Sequence, residues 1–471
     1  MQKNNRYKKL LTNTLVLGIG TFGSKVMTIL LMPLYTNYLT NGEYGIVDLL
    51  VQAANLLIPI VSLGINTAVL RFGMDGETDR HTVLTTGLVV NLIGFGGFFL
   101  FFPLIQRIPT FGSYAGWIYV FVLCSITRYL FAYFVKSLQR VRLFTLICVI
   151  GTATTLLLDV LFLAVLKIGI VGYILAIVLS DFISILLFFF TAKLYRYIRF
   201  KSLSRKITRA MLRYSLPLIP TTALWWITDV SDRYMVTWII DEAANGLYAI
   251  SYKIPNLLII ISGIFMDAWQ MSILTEKSPL ERQTFFSRVF SMYQSVVFVC
   301  SAGLIVCAKF VTKILVADSF YASWQYMPTL VVAMAASCFV SFLGTVYTVE
   351  KRSESVLVTT ILGTIINIIG NFFLIRWMGV QGAALSTAIS YGLVFAIRSI
   401  HTRRFVKITW DIPRFTANAV ILLAQTIIMI QEIPLWPVWE GALLAAMLVI
   451  NLRPLLHSLR AVVERRRGGQ A

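Results

Sequence analysis

The chain has 471 residues, 58% of them hydrophobic and 13% charged, with 41 Lys and Arg against 21 Asp and Glu, a net charge of +20 and a mean hydropathy of +0.79. That balance is far too apolar for an ordinary soluble globular protein and places the chain in lipid. The basic residues are spread over many short breaks and form no single patch, which argues against nucleic-acid binding.

A bilayer core about 30 Å thick needs roughly 20 apolar residues per helical crossing, and such segments recur along the whole chain. Fourteen are predicted, at 12–35, 44–69, 83–104, 114–135, 144–166, 170–191, 215–240, 246–272, 287–307, 324–348, 356–376, 380–400, 416–432 and 438–454. The opening MQKNNRYKKL has the charge of a signal-peptide n-region, but the apolar stretch behind it is too long and has no small-residue cleavage site. It reads as the first transmembrane helix. With the N-terminus inside, 32 of the 41 Lys and Arg fall on the cytoplasmic side, so both termini are predicted to be cytoplasmic. Contacts with anionic membrane lipids are then expected at the inner face. Trp117, Trp238, Trp324, Trp377, Trp436 and Trp439 fall at the predicted outer ends, where an aromatic belt belongs.

Within the first span, Gly18, Gly20 and Gly23 spell GIGTFG, which fits a dinucleotide-binding pattern formally. No strand precedes it and it lies inside a membrane helix, so close helix packing accounts for it better. Lys25 sits mid-span in the same helix with no acidic residue beside it, which points to anion binding or to an ion pair with another helix. The second span carries Asp48, Gln52, Asn55, Pro59, Ser62 and Asn66 at steps of three and four, one face of a 3.6-residue helix. Such a stripe faces either another helix or a watery cavity between two lobes.

Arg128 lies near an inner helix end and is expected to snorkel. Asp159 and Asp181 are further candidates for proton or ion exchange, with less context. The polar break from Ala192 to Tyr214 holds eight basic residues and no acidic one, and it divides six helices from the next six. Beyond it, LWWITDVSDRY places Asp229, Asp232 and Arg233 within one turn. Asp229 and Arg233 can pair locally; alternatively either Asp exchanges a proton or sodium ion while Arg233 holds substrate. The eighth span repeats the stripe more weakly through Tyr252, Asn256, Gly263, Asp267 and Gln270, and adds Lys253.

An internal repeat supports two six-helix lobes. KIGIVGYILAIVLS (167–180) and WMGVQGAALSTAIS (377–390) align Gly169 with Gly379, Gly172 with Gly382 and Ser180 with Ser390. Tyr44, Gln52 and Asn66 correspond in character to Tyr248, Asn256 and Gln270. The expected architecture is therefore all-α: an N-terminal lobe over 1–200, a second over 201–405, and helices 13 and 14 with a basic tail over 406–471. Even helix numbers in each lobe relate them by an axis along the membrane normal.

The five cysteines contain no CxxC, and His81, His401 and His457 are far apart in sequence, so neither a disulfide framework nor a metal site is expected. No Walker A, GxSxG or HExxH pattern appears, and the outer breaks are too short for the catalytic loop of a glycan polymerase. No enzyme activity and no cofactor are expected.

PLYTNYLTNGEYGIVDLL (33–50), GINTAVLRFG (64–73) and YSLPLIPTTALWWITDVSDRYMVTWIIDEAANGLYAISYKIPNLL (214–258) resemble the polysaccharide biosynthesis (O-antigen, Wzx-type) flippases of the multidrug/oligosaccharidyl-lipid/polysaccharide exporter superfamily. The resemblance implies a MATE-like pair of lobes in the bacterial inner membrane that moves undecaprenyl-pyrophosphate-linked oligosaccharide from the cytoplasmic to the periplasmic leaflet. It implies, too, company with a polysaccharide polymerase and a chain-length regulator. An anionic pyrophosphate would seek Lys25, Arg71, Arg233 and Lys253; a glycan would seek Asp48, Gln52, Asn55, Asn66, Asn256, Gln270, Trp225 and Tyr252. A lipid II flippase and a cation-coupled drug exporter of the same superfamily remain alternatives.

Overall fold

The computed structural model describes residues 27, 29–75, 78–275, 279–350, 352–406 and 408–468, and among them it contains helices and no strand. Among the described residues ten helices are long and apolar enough to cross a membrane, or eleven if the bent pair Glu242–Ser251 and Asn256–Met266 is one span. Of the other predicted spans, the first lies mostly outside the described residues. Leu218–Ile239 is long enough but interrupted by Asp229, Asp232 and Arg233, and the apolar part of the last helix is short, Trp436–Leu452.

The chain divides into two compact units, Met1–Val230 and Ser231–Ala471. In the first, helix Ile170–Thr191 packs on Ala115–Ser137 and Val141–Asp159, and Ile65–Met74 packs on Ala115–Ser137. Ile65, Val69, Leu84, Leu130, Phe134 and Phe188 form the core there. In the second, Val380–His401 packs between Met327–Val349 and Ser353–Met378. Its core is strongly aromatic: the Trp269 and Phe342 rings stack 5.4 Å apart, and Phe290, Tyr293, Phe339, Phe395 and Phe415 continue the cluster.

Local chemistry sets the helix ends. Thr40 and Glu43 close a reciprocal capping box on Asn41–Val61, which satisfies two otherwise stranded backbone donors. Asp79, Asp241 and Asp411 cap later helices in the same sense. The polar break is not all loop: Arg205–Ser215 is an amphipathic helix with Arg205, Lys206, Arg209 and Arg213 exposed and Met211 buried.

Two helices predicted as continuous are broken. Asn41–Val61 contains Pro59 and ends before Leu63 and Gly64, whose φ angles of 50° and 63° turn the chain into Ile65–Met74. Proline lacks the N–H that the turn below it needs, so the break follows from the sequence. Ser215 Oγ donates to the carbonyl of Leu63 at 2.8 Å. The second break lies between Ser251 and Asn256, next to Pro255, with a bend of 44°.

The glycines aligned by the repeat share one backbone geometry. Gly169 has φ 65° and ψ −138°, Gly379 has φ 61° and ψ −142°, and each immediately precedes a long helix, Ile170–Thr191 or Val380–His401. Side chains rarely adopt that region. Three residues on, Gly172 and Gly382 stand where a Cβ would meet Phe162 at 3.1 Å or the Leu374 carbonyl at 2.0 Å.

Candidate functional site

In the first unit the stripe of the second span divides by burial. Asp48 is buried, Gln52 is half-buried, Asn55 is exposed, and Ser62 and Asn66 are buried. Asn66 accepts from Asn91 Nδ2 at 3.4 Å, and Asn91 also donates to the Ile126 carbonyl, so this end of the stripe joins three helices. The Gln52 carbonyl accepts from Trp226 Nε1 at 2.9 Å. Arg71 is exposed in the last turn of Ile65–Met74. Lys25 lies outside the described residues, and so do the side chains of Trp225, Asp267 and Gln270.

Asp159 is fully buried where helix Val141–Asp159 gives way to a π-helical segment, Val160–Val165. Such irregular turns cluster at functional positions. Tyr35 Oη donates to its Oδ2 at 2.7 Å, while Oδ1 has no hydrogen-bond partner. The Tyr35 ring packs against Tyr173, with centroids 4.9 Å apart, and against Tyr44 at 6.2 Å. Arg128 does not snorkel as predicted. Its Nε pairs with Asp181 Oδ1 at 2.6 Å, Ser125 donates to the same carboxylate, and the guanidinium lies over the Tyr129 ring. A carboxylate on the neighbouring helix lowers the cost of holding this cation within the span.

In the second unit Asp232 is almost wholly buried and heavily bonded. Its Oδ2 accepts from Tyr248 Oη at 2.7 Å and Tyr252 Oη at 3.0 Å, and its Oδ1 accepts from the Arg233 backbone N–H at 2.9 Å. The Arg233 guanidinium lies 5.1 Å from the Tyr252 ring centroid. One residue earlier, Ser231 Oγ donates to Asn367 Oδ1 at 3.4 Å; that oxygen also accepts from Asn371, and Asn367 Nδ2 donates to Thr387 at 3.3 Å. Three helices thus join in one amide and hydroxyl network at Ser231, the residue before Asp232. A buried carboxylate held by hydroxyl groups suits exchange of a proton better than ligation of a transition metal. Among the described residues no cluster of three His, Cys, Asp or Glu exists.

Lys253 occupies the break between Ser251 and Asn256 and is half-buried; Asn256 is exposed at the head of the following helix, and Asp229 is exposed one turn before Arg233. The break therefore brings together Tyr252, Lys253 and Asn256, three of the residues singled out by sequence.

Two features escaped the sequence reading. Arg398, within the predicted span 380–400 but not singled out there, is 2% exposed inside Val380–His401. It donates to Thr359 Oγ1 at 3.0 Å and to the Val340 carbonyl at 2.9 Å, tying three helices. Its position inside a predicted span was the available signal. Trp324, placed in the outer belt, is buried beneath Lys309, whose ammonium lies 4.2 Å from its ring centroid. Trp238, Trp377 and Trp439 are exposed, as a belt requires.

No curated protein sequence matches this chain. Among solved structures, the chain is similar in fold to "Lipid II flippase MurJ, inward closed conformation" (TM-score 0.69, 14% identity, 94% of this chain and 99% of that one). It is also similar to an inward-facing multidrug resistance MATE family transporter of the MOP superfamily (TM-score 0.68, 16% identity, 84% and 95%) and to an outward-facing one (TM-score 0.59, 16% identity, 88% and 96%). A polytopic all-helical fold, polar groups on broken membrane helices, and a match over residues 10–270 to the family model described as "Polysaccharide biosynthesis protein" converge: this multi-pass membrane protein belongs to that family.

Proposed function

We propose that this protein is a flippase that carries undecaprenyl-pyrophosphate-linked oligosaccharide repeat units from the cytoplasmic to the periplasmic leaflet of a bacterial inner membrane by alternating access. The observation that carries the reading is the break at Tyr252 to Pro255, which puts Lys253 beside Asn256 in the middle of an apolar helix pair. A cation held within a membrane span at a cost of about 2.5–3.5 kcal/mol is retained where it meets an anion. Broken helices line binding sites in transporters for the same reason that unpaired backbone is tolerated there.

In this reading Arg71, Arg233 and Lys253, with Lys25, attract the pyrophosphate, and Gln52, Asn55, Asn256 and Tyr252 receive the sugars. Asp232, within its ring of oxygens, is the ion-coupling group, and exposed Asp229 is the second candidate. The lobes are 1–200 and 201–405, both termini are cytoplasmic, and a polymerase and chain-length regulator act on the exported product.

The test is genetic and chemical together. In a strain lacking the gene, lipid-linked repeat units accumulate on the inner leaflet; wild type and Gln52→Ala restore export at least in part, whereas Lys253→Ala and Arg233→Ala do not. Full export by both cation variants would sink the assignment. The fold shared with a lipid II flippase supports a second reading, and rescue of a strain depleted of its lipid II flippase would favour it.

A further inference from the structure

The last two membrane helices, Ile412–Ile430 and Trp436–Gly468, are joined by two polar rungs set in apolar surroundings. In the first, Asn418 and Asn451 exchange hydrogen bonds reciprocally, Nδ2 to Oδ1 at 3.1 Å and 2.9 Å, and both residues are fully buried. This is a closed amide–amide ring. In the second rung Gln425 Nε2 donates to Glu440 Oε2 at 3.0 Å, and both residues are again fully buried. Here the ring is open: Gln425 Oε1 and Glu440 Oε1 both lack a hydrogen-bond donor.

Two acceptors stranded in one buried rung are costly, and a carboxylate there is costlier still unless a cation meets it. None is at hand among the described residues. Within 436–452 Glu440 is the sole titratable side chain. The facing helix supplies Gln425, while its Arg414 is eleven positions away, about 16 Å along the axis, and bonds to Ser291. Helix Pro279–Val306, packed against both, brings the half-buried thiol of Cys300; its Tyr293 hydroxyl is engaged by Ser262 and its Arg288 lies farther along. Lys309, beyond that helix, is paired with Glu432 and sits over the Trp324 and Trp436 rings.

We propose that Glu440 is a proton-binding site: it is held as the neutral acid, its Oε1–H donates to Gln425 Oε1, and the second rung closes into an acid–amide ring matching the first. One proton satisfies both stranded oxygens. When base removes it, the O–H bond breaks, the proton goes to solvent, and a buried carboxylate faces the Gln425 carbonyl oxygen across the hairpin. The rung then repels itself and the two helices loosen.

The decisive measurement is an infrared difference spectrum of the full-length protein in lipid, wild type against Glu440→Gln. A protonated-carboxyl band present in wild type, absent from the variant and bleached at alkaline pH is expected, together with a melting temperature that falls with pH in wild type and more weakly in Glu440→Gln, where an amide ring is permanent. Absence of that band at mildly acidic pH, or equal pH slopes in the two proteins, overturns the proposal. Should Glu440→Gln fail to fold, the exchange Gln425→Glu/Glu440→Gln returns one carboxyl to the rung from the other side, and it must keep both the band and the slope.

Discussion

Each unit buries a carboxylate among tyrosines, but the two are built differently. Asp232 is enclosed by two phenol hydroxyls and a backbone N–H, with Asn367, Asn371 and Thr387 on the next helices. Asp159 has Tyr35 alone, and one oxygen without a hydrogen bond, at the seam between an α-helix and a π-helical segment. The difference teaches that burial by itself does not define a buried acid's role. A carboxylate whose lone pairs are filled must release a hydrogen bond to take up an ion, whereas one with capacity left over can receive something directly.

The largest effect is expected at Asp232. Asp232→Ala strands two tyrosine hydroxyls in the interior, so a loss of about 4 kcal/mol in stability is expected, and export should fail in the complementation assay. Near-normal melting and export would show the enclosing network to be incidental. Next in size is Arg128→Met, which leaves Asp181 buried without its ion pair and should cost about 3 kcal/mol. Adding Asp181→Leu should recover most of that loss in thermal melts, because the cost lies in the uncompensated charge.

A smaller effect is expected from Gly169→Ala and Gly379→Ala. Both place a methyl on backbone of the same positive φ, and each should destabilise its own unit by about 1 to 2 kcal/mol; clearly unequal losses would argue that the matched geometry does not carry matched strain. Smallest is Asp159→Asn. The amide oxygen still accepts from Tyr35, so stability should change by about 1 kcal/mol or less. A strong export defect with unchanged melting would then mark Asp159 as a functional group and narrow the contrast between the units.

Much of this was legible in the sequence where period and spacing carry the information. The stripe from Asp48 to Asn66 announces itself by its steps, and Gly169 and Gly379 by a repeat whose reason is a shared positive φ. Pro59 and Pro255 foretell breaks, though not that one falls after Val61 and the other after only ten residues of helix. Long-range pairings were hidden. Tyr35 and Asp159 are 124 positions apart, and nothing local to either names the other. Arg128 and Asp181 were both visible as charges within predicted spans, yet their partnership depends on two helices lying side by side. Trp324 looked like a belt residue because a helix end predicts depth and says nothing about which neighbour covers the ring.

The break before Asn256 has a mechanical side as well. It joins an arm of ten residues, Glu242–Ser251, to one of twenty, Asn256–Thr275, about 15 Å and about 30 Å long at helical rise. A pivot with arms in that ratio is a displacement amplifier. The same few degrees of rotation at Lys253 sweep the far tip of the long arm twice as far as that of the short one.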